Sequence, residues 1–337
     1  MVFWNTYPLY NVIQSKFNRE MFKSQIFYKE ALSSPTGVES IIVRQGENDR
    51  YVVNICEFLR NNFGNPPKTP ILDIPESKLL CMKDHILVLK DIDKNIIGCI
   101  RYHYLGVFVT NENEEIYCVD CFCINKKWRE KGVGDYLLTQ LHIYVNNHNI
   151  PYSLFLKEGR NLSIVHNPLY TGTYVYRQLG FCPLGVESAT VIKVLTINQA
   201  YRVMDLFREL SFGLFIIRNI LSTNQIWKLY TKDMYKVLVC FQNAYQRFEE
   251  DKKMKRIVWA TAWIESPNMT DDIREEASKV LSDTMYPEFD YVWMNKEWVG
   301  NAFLSKDSIW LTDGPFHWYS YQWTSCVTPK RSYCILN

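Results

Sequence analysis

The sequence lacks the features that mark several common classes of protein. No apolar run approaches the roughly 20 residues of a membrane-spanning helix, and Arg218 interrupts the nearest one, residues 212–221. The 38 lysine and arginine residues nearly balance 36 aspartate and glutamate residues, so no positive field favours nucleic acid. The first residues lack the basic and apolar regions of a secretory signal. We expect a cytoplasmic protein with no transmembrane segment and no nucleic-acid partner.

Signatures of metal binding and of hydrolytic triads are also missing. The six histidines are scattered and form neither an H-x-x-x-H nor a Ser-His-Asp pattern. Without a secretory signal, the 10 cysteines are expected to be reduced thiols. In a regular strand Cys118 would face away from Cys121 and Cys123, and no second cluster completes a tetrahedral site. We expect no metal.

The length and patterning favour two domains that mix helices and strands. With 337 residues and 47% hydrophobic content the chain can bury two cores. The first 40 residues lack sustained periodicity. Periodicity and turn residues predict helices at 54–62, 133–147, 173–179, 198–210, 236–252 and 271–285, and strands at 86–89, 96–104, 116–124, 152–157, 257–263 and 317–324. The boundary is expected near residues 185–195.

The most informative run joins a predicted strand, a basic glycine turn and a helix at residues 119–135. Gly132 and Gly134 allow a tight turn and close approach of a ligand to the backbone. The helix start offers free N–H groups, and Arg129 and Lys131 add positive charge, which together suit a pyrophosphate. An ordinary strand-to-helix connection is the alternative. A Rossmann site is rejected because Gly132 has no glycine two positions earlier.

This R-x-x-G-x-G pattern resembles the acyl-CoA loop of the GNAT acyltransferase superfamily. Five segments, in order along the chain, further resemble one family within it, protein N-myristoyltransferase. They are Val2-Phe-Trp-Asn-Thr-Tyr-Pro8, Leu59-Arg-Asn-Asn-Phe63, Cys121-Phe-Cys-Ile-Asn-Lys-Lys-Trp-Arg-Glu-Lys131, Tyr170-Thr-Gly-Thr-Tyr-Val-Tyr-Arg177 and Thr312-Asp-Gly-Pro-Phe-His-Trp-Tyr-Ser-Tyr-Gln-Trp323. Residues from about 190 to 285 match weakly.

The resemblance implies an α/β (α+β) fold of tandem GNAT-like halves, with a mixed central sheet flanked by helices. It implies an acyl-CoA-binding domain at residues 1–188 and a peptide-binding domain at residues 189–337. The implied activity transfers myristoyl from myristoyl-CoA to the N-terminal glycine amine of proteins. Myristoyl-CoA is then a co-substrate, and no cofactor is bound permanently.

The resemblance also assigns roles to individual residues. The backbone N–H groups of Cys121 and Phe122 would stabilise the negative charge on the thioester oxygen. The α-carboxylate of Asn337 would take the proton of the amine, although a frayed tail is the usual fate of a terminus. Thr173 would orient the amine. Residues assigned to acyl-CoA binding are Phe3, Trp4, Cys123, Arg129, Glu130, Lys131, Gly132, Val133 and Gly134.

Asp120 stands where the family usually has asparagine. On a regular strand it shares a face with Cys118 and Phe122, and burial there would raise its pKa. Two alternatives follow: Asp120 holds the ammonium or acts as a second base, or it is a structural carboxylate whose hydrogen bonds are satisfied.

Three further departures leave alternatives open. Gly64-Asn-Pro-Pro-Lys68 replaces an acidic loop, so peptide preference should differ. The generic turn Gly132-Val-Gly134-Asp135 admits an acetyltransferase that uses a short acyl-CoA, and loss of the acidic loop also admits an inactive binding protein. The ending Cys334-Ile-Leu-Asn337 formally fits a prenylation box, but processing there would remove the required carboxylate, so we favour the intact terminus.

Overall fold

The computed structural model describes residues 35–64, 70–108, 111–150, 153–160, 168, 170–180, 190–208, 217–218, 224–299, 309–321 and 333–334. The strands are β1 (Glu39–Val43), β2 (Ile71–Leu72), β3 (His85–Lys90), β4 (Ile96–Phe108), β5 (Asn111–Ile124), β6 (Ser153–Glu158), β7 (Tyr170–Gln178), β8 (Thr190–Leu195), β9 (Ile217–Arg218), β10 (Gln225–Lys232), β11 (Tyr235–Glu250), β12 (Lys253–Glu265), β13 (Tyr291–Asn295), β14 (Ile309–Tyr321) and β15 (Tyr333–Cys334). The helices are α1 (Val52–Asn62), α2 (Glu76–Leu79), α3 (Val133–Asn147), α4 (Ile197–Arg208) and α5 (Asp271–Asp283).

The strands join into one mixed sheet. Its order is β1-β3-β4-β5-β6-β14-β7-β13-β12-β11-β10-β8, with β2, β9 and β15 paired beside this path. Neighbours along the path are antiparallel except β5–β6 and β12–β13, which are parallel. Each parallel pair is connected by one helix, α3 or α5, as parallel neighbours require a crossover.

The sheet contains the same unit twice. The order β1-α1-β3-β4-β5-α3-β6-β7 in the first half matches β8-α4-β10-β11-β12-α5-β13-β14 in the second half. The predicted α/β fold of two similar halves with a mixed central sheet is therefore confirmed. The predicted division between residues 188 and 189 lies outside the described residues.

The two halves exchange their last strands. β14 of the second half lies between β6 and β7, and β7 of the first half lies between β14 and β13. β14 pairs with β6 over Phe316–Tyr321, while β7 pairs with β13 over Tyr174–Gln178. Backbone hydrogen bonds of each half are thus completed by the other half.

Helices cover the sheet through apolar faces with helical spacing. In α3 the buried residues Val133, Leu137, Leu141 and Val145 pack on the face of β4 and β5 that carries Ile100 and Tyr102. α1 covers the opposite face with Ile55, Phe58 and Leu59. The helix predicted at 133–147 is observed with those bounds. In the part of the chain described, no helix is long and apolar enough to cross a membrane.

Two helix predictions are wrong. Residues 173–178 of the predicted helix 173–179 lie in β7, where alternating β-branched and aromatic residues extend across the sheet. Gly180, with φ +82°, resembles a helix C-cap but only turns the chain after the strand. Residues 236–252 lie mostly in β11, whose run Val237–Phe241 is fully buried. Burial on both faces removes the alternation that identifies a strand.

Candidate active site

The site begins where β5 and β6 separate. These parallel strands pair only from Tyr117, Cys118 and Val119 to Ser153, Leu154 and Phe155. β5 continues to Ile124, whereas β6 continues to Glu158 along β14. Within the described ranges, no strand pairs with β5 beyond Val119 on this side. Among these residues the far end of β5 therefore has an unpaired edge, which we call its free edge and which a ligand can approach.

A β-bulge lies on this free part of β5. Cys99 pairs with Cys123 and Arg101 pairs with Asp120, so Cys121 and Phe122 together face the single residue Ile100. Cys121 adopts the left-handed conformation with φ +50°, which is uncommon for a residue with a side chain. A bulge interrupts the regular ladder and re-aims the backbone. Amide groups released from a ladder can donate to a developing negative charge.

Because of the bulge, some side chains of β5 lie on the opposite face of the sheet from the one that regular alternation predicts. Cys99 and Arg101 share one face of β4, so their partners Cys123 and Asp120 share one face of β5. Phe122 packs on the α3 side of the sheet, so the prediction that it shares a face with Asp120 is wrong.

The bulge changes the relative faces of the β5 cysteine side chains in the same way. Cys121 and Cys123 pack with α1, on the face that Cys118 and Asp120 also occupy, so the prediction that Cys118 points away from them is wrong. Burial raises the pKa of Cys121 well above its ordinary value, with Asp120 adding to the effect, and burial raises that of Cys123 to about 12. These thiols stay protonated near neutral pH and are unsuited to attack a thioester. In the part of the chain described, no group of three or more potential ligands forms a metal site.

Asp120 forms a bidentate ion pair with Arg101. Arg101 Nε lies 2.7 Å from Oδ1 of Asp120, and its Nη2 lies 2.6 Å from Oδ2. Burial opposes the charged form of Arg101, but the combined effect of its acidic neighbours, with Asp120 first among them, outweighs burial and raises the pKa of Arg101 well above its ordinary value. Both carboxylate oxygens are thus occupied. This geometry favours the structural alternative for Asp120 over a role as a base.

The glycine turn lies beside the bulge. A Cβ on Gly134 would lie 3.4 Å from Cζ of Phe122, so the first turn of α3 packs on the bulged residue. Gly132 precedes α3 with φ +78°, and no side chain caps this helix end. Glu130 is also left-handed, with φ +62°. Free amides at an uncapped helix N-terminus form an anion site.

The basic residues of the turn differ in their contacts. Arg129 donates to the carbonyl of Ile124 at 3.1 Å and to that of Asn62 at 2.8 Å. It therefore ties the turn to β5 and to the C-terminus of α1. Lys131 is exposed, with its ammonium 5.6 Å from the centre of the Trp128 ring. Of these two cations, the geometry leaves Lys131 the more accessible to a phosphate. Val133 is buried in the core beneath the turn.

Thr173 lies apart from this cluster. It is half-buried on β7, which is three strands from β5 along the order β5-β6-β14-β7. Thr173 pairs with Pro315, where residues 312–314 of β14 leave the ladder. The structure therefore groups Asp120, Cys121, Phe122 and the glycine turn, and it places Thr173 across the divergence between β5 and β6.

Three predicted site residues, Phe3, Trp4 and Asn337, lie outside the described residues. The chain is nevertheless described at Tyr333–Cys334, which forms β15 and pairs with Ala262 and Trp263 of β12. This strand fills the position in the second half that corresponds to the free edge of β5. There Thr261 is the extra residue of an equivalent bulge, between the pairs Cys240–Ala262 and Phe241–Ala260.

Several residues that surround the bulge were not predicted from the sequence. Arg101 and Asp84 are both buried, and a charge flanked by Ile100 and Tyr102 in an apolar strand requires a partner. Tyr245 of β11 is left-handed, with φ +50°, and packs against the apolar cluster that contains Cys121. Its backbone carbonyl accepts from the N–H of Asp73 at 2.7 Å, which ties the second half to the first. Nothing in the sequence marks Tyr245.

Sequence comparisons identify no relative, whereas solved structures do share the fold. No family model matches the sequence, and no curated protein matches it. A crystal structure of Saccharomyces cerevisiae N-myristoyltransferase with bound myristoyl-CoA and inhibitors has a TM-score of 0.65 at 12% identity, covering 99% of this chain and 93% of that chain. Another crystal structure of Saccharomyces cerevisiae N-myristoyltransferase, with bound myristoyl-CoA, has a TM-score of 0.64 at 13% identity. It covers 100% of this chain and 94% of that chain.

A weaker match is a GCN5-related glucosamine N-acetyltransferase region in a fungal multi-domain GH3 β-N-acetylglucosaminidase. Its TM-score is 0.52 at 10% identity, with coverage of 86% of this chain and 38% of that chain. The near-complete coverage by the two yeast structures extends the likeness over both halves. The chain has the N-myristoyltransferase fold, built from two GNAT-like units.

Proposed function

We propose that the protein is an acyl-CoA-dependent N-acyltransferase that transfers a myristoyl group to the N-terminal glycine amine of proteins. The observation that carries the proposal is the left-handed bulge at Cys121, which lies on the free edge of β5 beside the uncapped start of α3. One feature offers donors for a thioester oxygen, and the other offers donors for a pyrophosphate. The two features lie next to each other, because Gly134 in the first turn of α3 packs against Phe122.

The reaction needs a neutral amine, and an α-amino group with a pKa of about 8 is largely protonated at pH 7. The α-carboxylate of Asn337 takes one proton from the ammonium. The amine nitrogen then attacks the thioester carbon, and the oxygen gains negative charge near the amides of Cys121 and Phe122. The C–N bond forms, the C–S bond breaks, and CoA leaves as a thiol with the second proton from nitrogen. Thr173 orients the amine.

The myristoyl donor and the peptide acceptor rest on the sequence resemblance to N-myristoyltransferases and on the similarity of fold to the yeast enzyme. A short acyl-CoA is the second candidate donor, because Gly132-Val-Gly134 is a generic turn for acyl-CoA enzymes. Exposed Lys131 serves either donor equally, since both carry the same nucleotide and pyrophosphate.

The test is a donor panel on the full chain. Peptides with an N-terminal glycine are incubated with myristoyl-, decanoyl- or acetyl-CoA, and the products are read by mass spectrometry. The proposal expects one myristoyl addition at the α-amine and none on a peptide whose glycine is already acetylated. Addition from acetyl-CoA alone would replace the donor assignment, and addition from no donor would reject the enzyme.

A further inference from the structure

The ion pair beside the bulge is held rigidly from the opposite side. Nη1 of Arg101 donates to the carbonyl of Leu79 at 3.0 Å and to that of Lys78 at 3.3 Å, at the end of α2. It also lies 3.9 Å from Oδ2 of Asp84. The guanidinium is buried and has partners on both sides, so its position relative to Asp120 is fixed.

Asp84 anchors this arrangement in turn. Its carboxylate is fully buried and accepts from the N–H groups of Cys81 at 3.0 Å and Tyr104 at 2.9 Å. Nδ1 of His103 lies 2.9 Å from its Oδ1. Asp84 therefore helps to fix the position of Arg101 and is not part of the free edge of β5. We call Arg101, Asp84 and their hydrogen-bond partners the rigid frame.

The frame meets the bulge at one residue. Asp120 is the last residue of β5 in regular register before the extra residue, and Cys121 follows it directly in the left-handed conformation. Such a conformation is strained and persists only where the surroundings determine it. A bidentate pair fixes both the direction and the distance of the Asp120 side chain, and hence the backbone that enters the bulge.

The second half provides an internal comparison. Ala260 precedes the extra residue Thr261 there, so this bulge has no charged pair at the corresponding place. Thr261 is a described residue, and its backbone does not adopt the left-handed conformation. Its strand edge is also occupied by β15. The first half thus has the ion pair, the left-handed residue and the free edge together. In the second half Ala260, Thr261 and β15 lie at the corresponding positions.

We propose that Arg101 is a positioning residue of the acyl-transfer site: through Asp120 it holds the bulge that aims the amides of Cys121 and Phe122. The inference rests on the proposed function for its catalytic consequence. Arg101 contacts no reacting atom, and its effect passes through the backbone of β5. Loss of the pair should therefore lower kcat while leaving the binding of acyl-CoA at the glycine turn unchanged.

The kinetic test uses the double variant Arg101→Met/Asp120→Asn, which removes both charges of the pair and leaves Asp84 with its backbone N–H donors and His103. The matched control is Arg177→Met/Asp283→Asn, which removes another buried pair, with Nη2 2.9 Å from the carboxylate, on β7 and α5. We expect a fall in kcat of at least 10-fold for the first and less than 2-fold for the second. The acyl-CoA Kd should stay within 2-fold of the wild-type value in both. Arg101→Lys keeps the charge but loses the planar guanidinium that donates to both oxygens of Asp120, so it should give an intermediate kcat.

A crystal structure of the Arg101→Met/Asp120→Asn variant gives a readout that needs no activity. We expect Cys121 to leave the left-handed region. A retained positive φ at Cys121, or a wild-type kcat in this variant, would overturn the inference. If the wild-type protein transfers no acyl group from any donor, the proposed function fails, and the crystal structure still decides whether Arg101 holds the bulge.

Discussion

Gly172 allows a close approach that no other residue could permit. A Cβ at this position would lie 2.6 Å from Nδ2 of Asn295 and 2.8 Å from the ring and hydroxyl of Tyr170. Asn295 is fully buried and donates to the Tyr170 hydroxyl, and its Oδ1 accepts from the N–H of Glu297 at 2.8 Å. Moving Asn295 to admit a methyl group would break contacts on both of its sides.

We therefore predict that Gly172→Ala strongly destabilises the fold. Overpacking contributes about 1–3 kcal/mol, and the loss of a hydrogen bond between buried groups contributes about 1–3 kcal/mol more. The sum of about 2–6 kcal/mol is a large part of the 5–15 kcal/mol typical of a folded protein. The free energy of unfolding is measured by urea denaturation followed by tryptophan fluorescence and circular dichroism together.

Gly132→Ala is the matched control. No atom lies within 4 Å of a Cβ at Gly132, but its φ of +78° strains any L-residue. Only that strain, about 1–2 kcal/mol, should appear. If Gly172→Ala changes the free energy of unfolding by less than the control, the argument from steric overlap is wrong.

Three other predictions follow from buried charges and from the chain terminus. Burial lowers the pKa of His142 to about 4, below its unfolded value of about 6.5, so stability should fall by up to about 3 kcal/mol as pH drops from 6.5 to 4. His142→Leu should flatten this pH profile, and an unchanged slope would contradict it. Burial opposes ionisation of Asp84, yet His103 and Arg101 outweigh it and lower its pKa. Asp84→Asn should therefore cost about 3–5 kcal/mol at pH 7. This difference should begin to shrink as pH falls below about 4, because the carboxyl of the unfolded chain takes up a proton there, whereas folded Asp84, with its lowered pKa, does so only at still lower pH; a constant difference would refute the assignment. Residues added after Asn337 should lower kcat without changing the acyl-CoA Kd, and full turnover would rule out the terminal carboxylate as the base.

The sequence was sufficient where local pattern and environment agree. The helix at Val133–Asn147 has one apolar stripe, a glycine before it and one buried face, so its bounds could be predicted. β11 could not be recognised, because burial on both faces leaves no alternation to detect. The bulge at Cys121 depends on register against β4, which single-strand periodicity does not contain.

The same reason limits prediction of the site. The resemblance predicts site roles for Asp120, Cys121 and Phe122, but it does not identify the partner of Asp120. Arg101 lies 19 residues away in the chain and meets Asp120 only because a hairpin sets them opposite each other. An isolated arginine in an apolar strand indicates that a partner exists, and only the register identifies it.

The exchange of β7 and β14 has a consequence for the handling of this chain. Neither half contains all the strands with which its own part of the sheet pairs. Expressed alone, the first half would leave β6 without its antiparallel neighbour β14, and the second half would leave β13 without β7. Exposed edges of this kind favour aggregation. Two separately expressed halves should instead complement each other when mixed, as subunits of one molecule.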